Sequence, residues 1–163
     1  MNLKIFRIAW ICLLILLLIW VAWQSIVPTG AVIYTHDFSK ETYRFSRLLP
    51  AERVIDTRTI IDEPVYFTVY TPRAFEKAIV RLRFNEPSSA AMQIGIAHNK
   101  AQWNFDFKPV AAGTLETELV FDARTAERLK GRYSFMISDP TLSSRGGSIK
   151  VKDVSIEFIG KPL

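Results

Sequence analysis

Two patterns of apolar residues divide the chain. From residue 8 to residue 27 no charged side chain occurs, and residues 8–23 are apolar without a break. After Pro28 the apolar positions fall on every second residue, in short runs separated by turn residues. The continuous run predicts a helix. At about 1.5 Å of rise per residue, roughly 20 apolar residues cross a hydrocarbon core of about 30 Å. Trp10 stands near one end of the run and Trp20 and Trp23 near the other, where indole rings favour the membrane interface. Lys4 and Arg7 precede the run, and the first acid is Asp37. By the positive-inside rule the amino terminus stays in the cytoplasm and the rest is exported.

A cleaved signal peptide has the same layout but a shorter apolar core of about 7 to 15 residues and a small-x-small cleavage site. Here the core is longer, and residues 24–30 offer no Ala-x-Ala. An uncleaved signal anchor is the favoured reading. Cys12 does not mark a lipoprotein, because Trp10 and Ile11 precede it where small residues are needed. The expected organisation is a cytoplasmic tail over residues 1–7, a transmembrane helix over 8–27 and an extracytoplasmic domain over 28–163. Its location would be the cell membrane, single-pass, with the domain periplasmic or at the cell surface.

In the exported part the period-2 runs predict strands. Val65, Phe67 and Val69 alternate with Tyr66, Thr68 and Tyr70; Val80, Leu82 and Phe84 alternate with Arg81 and Arg83. Further runs lie at 92–97, 103–107, 115–121, 133–138 and 149–159, with shorter candidates at 31–35 and 43–45. One stretch predicts a helix: Asp122 as cap, residues 123–130 as its body and Gly131 at its stop. Short strands with almost no helix predict an all-β domain, a two-sheet antiparallel β-sandwich. The segment 30–62 is less regular and is expected to be one strand followed by a loop that contains Pro50.

Composition sharpens this picture. The chain has 163 residues, 49% hydrophobic, with a net charge of +5. Lys4 and Arg7 are two of its 21 basic residues, which leaves 19 against 16 acids in the exported part. With no basic run or stripe, the sequence pI of about 9.5 does not indicate a nucleic-acid partner. A single cysteine, inside the apolar run, excludes an internal disulfide in the domain. The fold must be held by its core alone.

The closing cadence, residues 133–138, then Gly146-Gly147, then a long β-rich run containing Asp153-Val154, resembles the last two strands of bacterial jelly-roll carbohydrate-binding modules, which are galactose-binding-like domains. Asp37-Phe38 followed by Tyr43 and Phe45 is similar to their opening strand. The resemblance implies a sandwich that binds sugar without catalysis. It also implies a structural calcium, whose ligands would fall on Asp37 and Asp153. Ser39 stands where those modules often carry an acid, and Lys152 places a cation beside the second ligand. The expectation is therefore that no metal is held.

The catalytic inventory is thin. His36 and His98 lie far apart without a metal-binding context. Glu116 and Glu118 share one strand face, but that face is expected to be wet. No phosphate-binding glycine loop, nucleophile elbow or cysteine dyad occurs, and Gly146-Gly147 is a hairpin loop first. No enzyme and no cofactor are expected. Two binding candidates remain. Trp103, flanked by Gln102, Asn104 and Asp106, can stack on a sugar ring while amide and carboxylate groups serve its hydroxyls. Alternation with Phe105 and Phe107 places it in the core instead, and that placement is favoured. The second candidate is a face made by Tyr66, Tyr70, Arg81 and Arg83, contiguous if their two strands pair; a solvated face with Arg stacked on Tyr is the favoured alternative. The leading expectation is a membrane-anchored extracytoplasmic binding module for a glycan or a protein. The alternative is a structural or assembly subunit of an envelope complex, with an envelope enzyme behind both.

Overall fold

The computed structural model describes residues 3–26, 30–40 and 42–160. Helix α1 spans Leu3–Ile26. Its side chains are described at Arg7 and over residues 10–21. Among the described residues no helix is long and apolar enough to cross a membrane. The expected span over 8–27 is to that extent not supported. What the described stretch does show is apolar surface on all sides: Trp10, Leu14, Leu17, Leu18 and Trp20 are each more than half exposed.

The strands that follow are β1 (Ala31–His36), β2 (Val54–Ile55), β3 (Thr59–Ile60), β4 (Val65–Tyr70), β5 (Lys77–Phe84), β6 (Gln93–Asn99), β7 (Asn104–Pro109), β8 (Glu116–Asp122), β9 (Arg128–Leu129), β10 (Arg132–Ser138) and β11 (Ile149–Ile159), with a short helix α2 (Leu142–Arg145) before the last. The first sheet has the order β2-β3-β11-β5-β8, and β1 pairs with β11 beside β3. The second has the order β4-β10-β6-β7, and β9 pairs with β10. Every pairing is antiparallel. The all-β two-sheet antiparallel sandwich expected from the sequence is the fold.

The core lies between the sheets and is filled by alternate residues. Ala78, Val80, Leu82 and Phe84 of β5 face Val65, Phe67 and Val69 of β4 and Tyr133, Phe135 and Ile137 of β10 across the interior, all buried. Strand β11 has a register shift between Val151 and Asp153. This bulge changes its inward parity, so that Val151, Val154, Ile156 and Phe158 are all buried. Tyr133 stacks on Phe158 with ring centroids 5.4 Å apart, joining the two sheets. The edge of β4 is covered by residues 44–49: Tyr70 N donates to Arg44 O (2.7 Å), Ser46 N to Thr68 O (2.9 Å) and Tyr66 N to Leu49 O (2.8 Å). The expected strand at 43–45 is thus a single bridge, Phe45 to Val69.

The expected helix over 123–130 does not form. Asp122 ends β8, and its Oδ1 accepts the Arg124 N–H (3.0 Å) in a turn. Arg128–Leu129 then pair back on β10 through Lys130 and Gly131, both at positive φ (50° and 78°), the two-residue hairpin geometry. Burial of Ala123 and the bond from Glu127 N to Ala97 O (2.7 Å) override local helix preference. The hairpin β2–β3 and helix α2 were not foreseen.

Two buried polar side chains hold the far end of the sandwich, where β1 finishes. His36 lies face to face with Phe45 (4.7 Å) and edge-on to Phe38 (5.0 Å). Burial lowers its pKa from the ordinary 6.5, against the opposing pull of Asp37. Asp139 is 1% exposed. Burial alone would raise its pKa, but hydrogen bonds from Ser89 and Thr141, with Arg145 close by, outweigh burial and hold the carboxyl below its ordinary value.

Two outcomes follow from these groups. A His whose folded pKa is depressed stabilises fully above about pH 6.5 and progressively less as pH falls through its folded pKa. Thermal melts between about pH 7.5 and 5.5 are expected to lose stability in the wild type, and His36→Phe is expected to flatten that slope; an unchanged slope refutes the assignment. Asp139→Ala removes the acceptor for Ser89, Thr141 and Arg145 and is expected to cost on the order of 2–3 kcal/mol in denaturant unfolding.

Candidate functional site

The turn from β6 to β7 sets the geometry of the site. Asn99 Oδ1 accepts the Gln102 N–H (3.1 Å), closing a short 3-10 turn over Lys100–Gln102, and Trp103 follows in the left-handed conformation (φ 54°, ψ 31°). Trp103 is 61% exposed. Its ring centroid lies 6.3 Å from that of Tyr66, edge to face, and 6.4 Å from that of Phe105. Phe105 lies 5.8 Å from Phe107, and Lys100 Nζ sits 4.7 Å from the Tyr66 ring centroid. These four rings share the outer face of the second sheet.

The floor beneath them explains the arrangement. Phe107 is opposite Gly95 and Phe105 opposite Ala97 in the β6–β7 register. A β-carbon at Gly95 would stand 2.8 Å from the Phe107 ring, so only glycine lets that ring lie down on β6. Ala97 and Met136 complete the floor and are buried on the outer side of the sheet. Alternation grouped Trp103 correctly with Phe105 and Phe107 but put all three on the wrong side. The inward parity of β7 belongs to Asp106 and Lys108, opposite Ile96 and Ile94 at an open edge. There the Lys108 ammonium, 5.6 Å from the Phe121 ring centroid, covers the mouth of the core. Of the expected cluster, Gln102 and Asn104 stay exposed beside Trp103, while Asp106 is on the opposite face of its strand.

The second expected face does not exist. Tyr66 and Tyr70 lie on β4 in the second sheet, and Arg81 and Arg83 on β5 in the first, because the chain crosses between sheets after β4. The two pairs therefore occupy opposite outer faces of the sandwich. Arg81 is bonded to Glu118 (2.6 Å) and Glu157 (3.2 Å), and Arg83 to Asp153 by two contacts of 2.8 and 2.7 Å. Glu116 and Glu118 stand opposite Arg83 and Arg81 across the β5–β8 ladder, and the Glu118 carboxylate is taken up by Arg81. Tyr70 meets Tyr43 (6.4 Å) and Arg132 (5.9 Å) instead.

The calcium ligands implied by the resemblance are otherwise engaged. Asp37 accepts the Ser39 N–H (3.0 Å) and hydroxyl (2.9 Å), bonds that lower its pKa, and Asp153 belongs to Arg83. Among the described residues no group of three His, Cys, Asp or Glu gathers as a metal site. His98 bonds the Thr125 carbonyl through Nδ1 (2.8 Å), far from the aromatic cluster of His36.

Two features escaped the sequence reading. One is the contribution of Phe105, Phe107 and Lys100 to the outward ring surface; the small pair Gly95 and Ala97, alternating with Ile94 and Ile96, is the available signal. The other is a groove of about 610 Å³ beside β1, in which the Arg44 guanidinium lies 4.6 Å from the Tyr34 ring and 5.3 Å from that of Tyr43.

No family model matches the sequence, and no curated protein matches it. Among solved structures the chain is similar to FLHE, at 11% identity and a TM-score of 0.42, over 83% of this chain and 99% of that one. It is similar to a GH26-CBM35 β-(1,4)-mannanase of Podospora anserina, at 11% identity and a TM-score of 0.40, over 83% of this chain and 29% of that one. It is also similar to chitosan-binding module 1 of a chitosanase/glucanase from Paenibacillus sp. IK-5, at 14% identity and a TM-score of 0.32, over 77% and 99%. Carbohydrate-binding modules, the group that the strand cadence resembles, are thus among the structural neighbours.

Exposed Trp103 does not support the fold. Trp103→Ala is expected to change unfolding free energy by no more than about 0.5 kcal/mol. Gly95→Ala, which drives a methyl into the Phe107 ring, is expected to cost about 1–3 kcal/mol; denaturant titration of both separates surface from floor.

Proposed function

We propose that this protein is a non-catalytic binding module for a glycan, held at a membrane by its amino-terminal helix. The observation that carries the reading is the outward ring surface of Trp103 and Phe107, both exposed, with Tyr66 and Phe105 half-buried beside them. Large aromatic rings left in water form an apolar patch of the kind that marks interaction sites. Indole and phenol rings stack on the C–H faces of pyranose rings, and Lys100, Gln102 and Asn104 at the border supply donors and acceptors for hydroxyls. The anchoring part rests on the uncharged run over 8–27, on the apolar sides that α1 presents in every direction, and on Lys4 and Arg7 before it. It places the amino terminus in the cytoplasm and the sandwich outside, periplasmic or at the cell surface. A tether raises the local concentration of the module near surface ligands, so a weak site suffices.

The same helix favours a second reading, a structural subunit of an envelope complex, because a helix apolar all round also fits against other membrane helices. Pull-down from detergent separates the two: stoichiometric membrane partners recovered by the wild type and by Trp103→Ala alike favour assembly.

On a glycan array the full chain in detergent is expected to bind a defined set of oligosaccharides, and Trp103→Ala to weaken that binding about tenfold or more, some 1.4 kcal/mol, without unfolding. Retention of affinity in Trp103→Ala rejects the aromatic surface as the site. Protease added to intact cells is expected to digest the sandwich and spare the amino terminus; a fully protected sandwich rejects the topology.

A further inference from the structure

A second site lies at the proximal end of the sandwich, where β1 starts and β11 finishes. Between the β4–β5 loop, the β8–β9 loop and Gly160 the surface opens into a cleft of about 590 Å³, lined by Arg73, Arg124, Arg128 and Glu76 among others. Two of the three guanidiniums are occupied. Arg124 forks onto Asp122 with contacts of 3.0 and 2.8 Å and pulls that carboxyl down to about 2; Arg128 donates to the hydroxyl and carbonyl of Thr71. Arg73 is different. Its Nε and Nη2 are buried and, among the described residues, have no hydrogen-bond partner.

Those two nitrogens form one edge of the guanidinium, the edge that grips an oxyanion with two parallel N–H bonds. A buried charged donor left unpaired is costly and rare in a finished fold. The guanidinium lies over an aromatic neighbour, with Arg73 Cζ 5.1 Å from the Phe75 ring centroid. Gly160 adjoins that edge: a β-carbon there would stand 3.0 Å from Arg73 Nη2. The surroundings share one sign: residues 71–77 and 122–132, which flank the cleft, carry six basic side chains against three acids. Glu76 and Asp122 offset two of the three arginines of the cleft, which leaves one net positive charge for an incoming anion.

We infer that this cleft is an oxyanion site in which the Nε–Nη2 edge of Arg73 holds a phosphate group. Two sources share that chemistry, a soluble phosphate compound and the headgroup phosphate of a bilayer lipid. Only the second rests on the proposed anchor, which would bring this end of the sandwich close to the bilayer. The site is separate from the aromatic surface, so the phosphate response is expected to survive Trp103→Ala, and the two readings fail independently.

The test is the melting temperature of the full chain in a neutral, phosphate-free detergent, titrated with inorganic phosphate against sodium chloride at matched ionic strength. The expected result is a saturable rise at millimolar phosphate that chloride does not give. Arg73→Met is expected to abolish the rise while leaving the phosphate-free melting temperature unchanged or higher, since it deletes an unpaired donor and keeps the stem. Arg73→Lys, which keeps the charge and loses the fork, is expected to weaken phosphate binding about tenfold or more. Equal responses to phosphate and chloride overturn the proposal. So does an undiminished response in either variant, or a phosphate-free melting temperature several degrees lower in Arg73→Met, which would mark a structural arginine. Reconstitution in nanodiscs of phosphatidylglycerol assigns the source within a confirmed site: loss of the added-phosphate response there means that the lipid already fills it, and persistence means a soluble ligand.

Discussion

The domain depends on one strand. Over its 11 residues β11 is hydrogen-bonded to β5 on one side and to β1 and β3 on the other, so the first sheet has no continuous path without it. Its inward residues must also meet the second sheet, and a strictly alternating strand of this length would turn half of them outward. The bulge between Val151 and Asp153 solves both demands at once. It keeps Val151 with β5 and brings Val154, Ile156 and Phe158 to the interior, where Phe158 lies on Tyr133. The Tyr133 hydroxyl then accepts the Phe75 N–H (3.1 Å) and fixes the loop that carries Arg73. Core, sheet order and the wall of the proximal cleft thus hang on the same register.

The two outer faces differ in their chemistry. On the first sheet Arg81 pairs with Glu118 and Glu157, and Arg83 with Asp153. Such exposed pairs contribute only about 0–1 kcal/mol each, and their charge is already spent on neighbours within the fold. On the second sheet the outer face carries rings whose partners are other rings, with Trp103 reaching over the sheet from the β6–β7 turn. The difference has a local cause: β6 offers Gly95 and Ala97 outward, so its neighbour can lay Phe105 and Phe107 across it. A face floored by small residues collects large ones from the adjoining strand.

Much of this was legible in the sequence. Alternation located β4, β5, β6, β7, β8, β10 and β11, because period 2 with one apolar face is what a half-buried strand requires. It found Trp103, Phe105 and Phe107 as one set. Parity states which residues share a face and not which face meets the core; Asp106 and Lys108 take the inward side of β7 only because they stand at an edge where Lys108 can reach water. Pairing was equally hidden. Tyr66 and Arg81 sit on consecutive strands, yet in a sandwich consecutive strands often belong to different sheets, and that choice is made by contacts remote in sequence. The helix expected over 123–130 failed for the same kind of reason: its alanines were wanted by the core and its Lys130-Gly131 pair by a hairpin. Arg73 carried no signal at all, since an unpaired edge is a property of the assembled loops.

The pairing of β1 with β11 joins residues such as Thr35 and Ser155, 120 positions apart, and this separation governs when the domain can fold. Sheets closed by distant strands form in about milliseconds to seconds once all parts are present. Synthesis at about 5–20 residues per second needs about 6–24 s to bring the partner of β1 out of the ribosome. Throughout that interval β1 has finished and waits without a ladder. Completion is paced by delivery of the chain and not by the folding reaction.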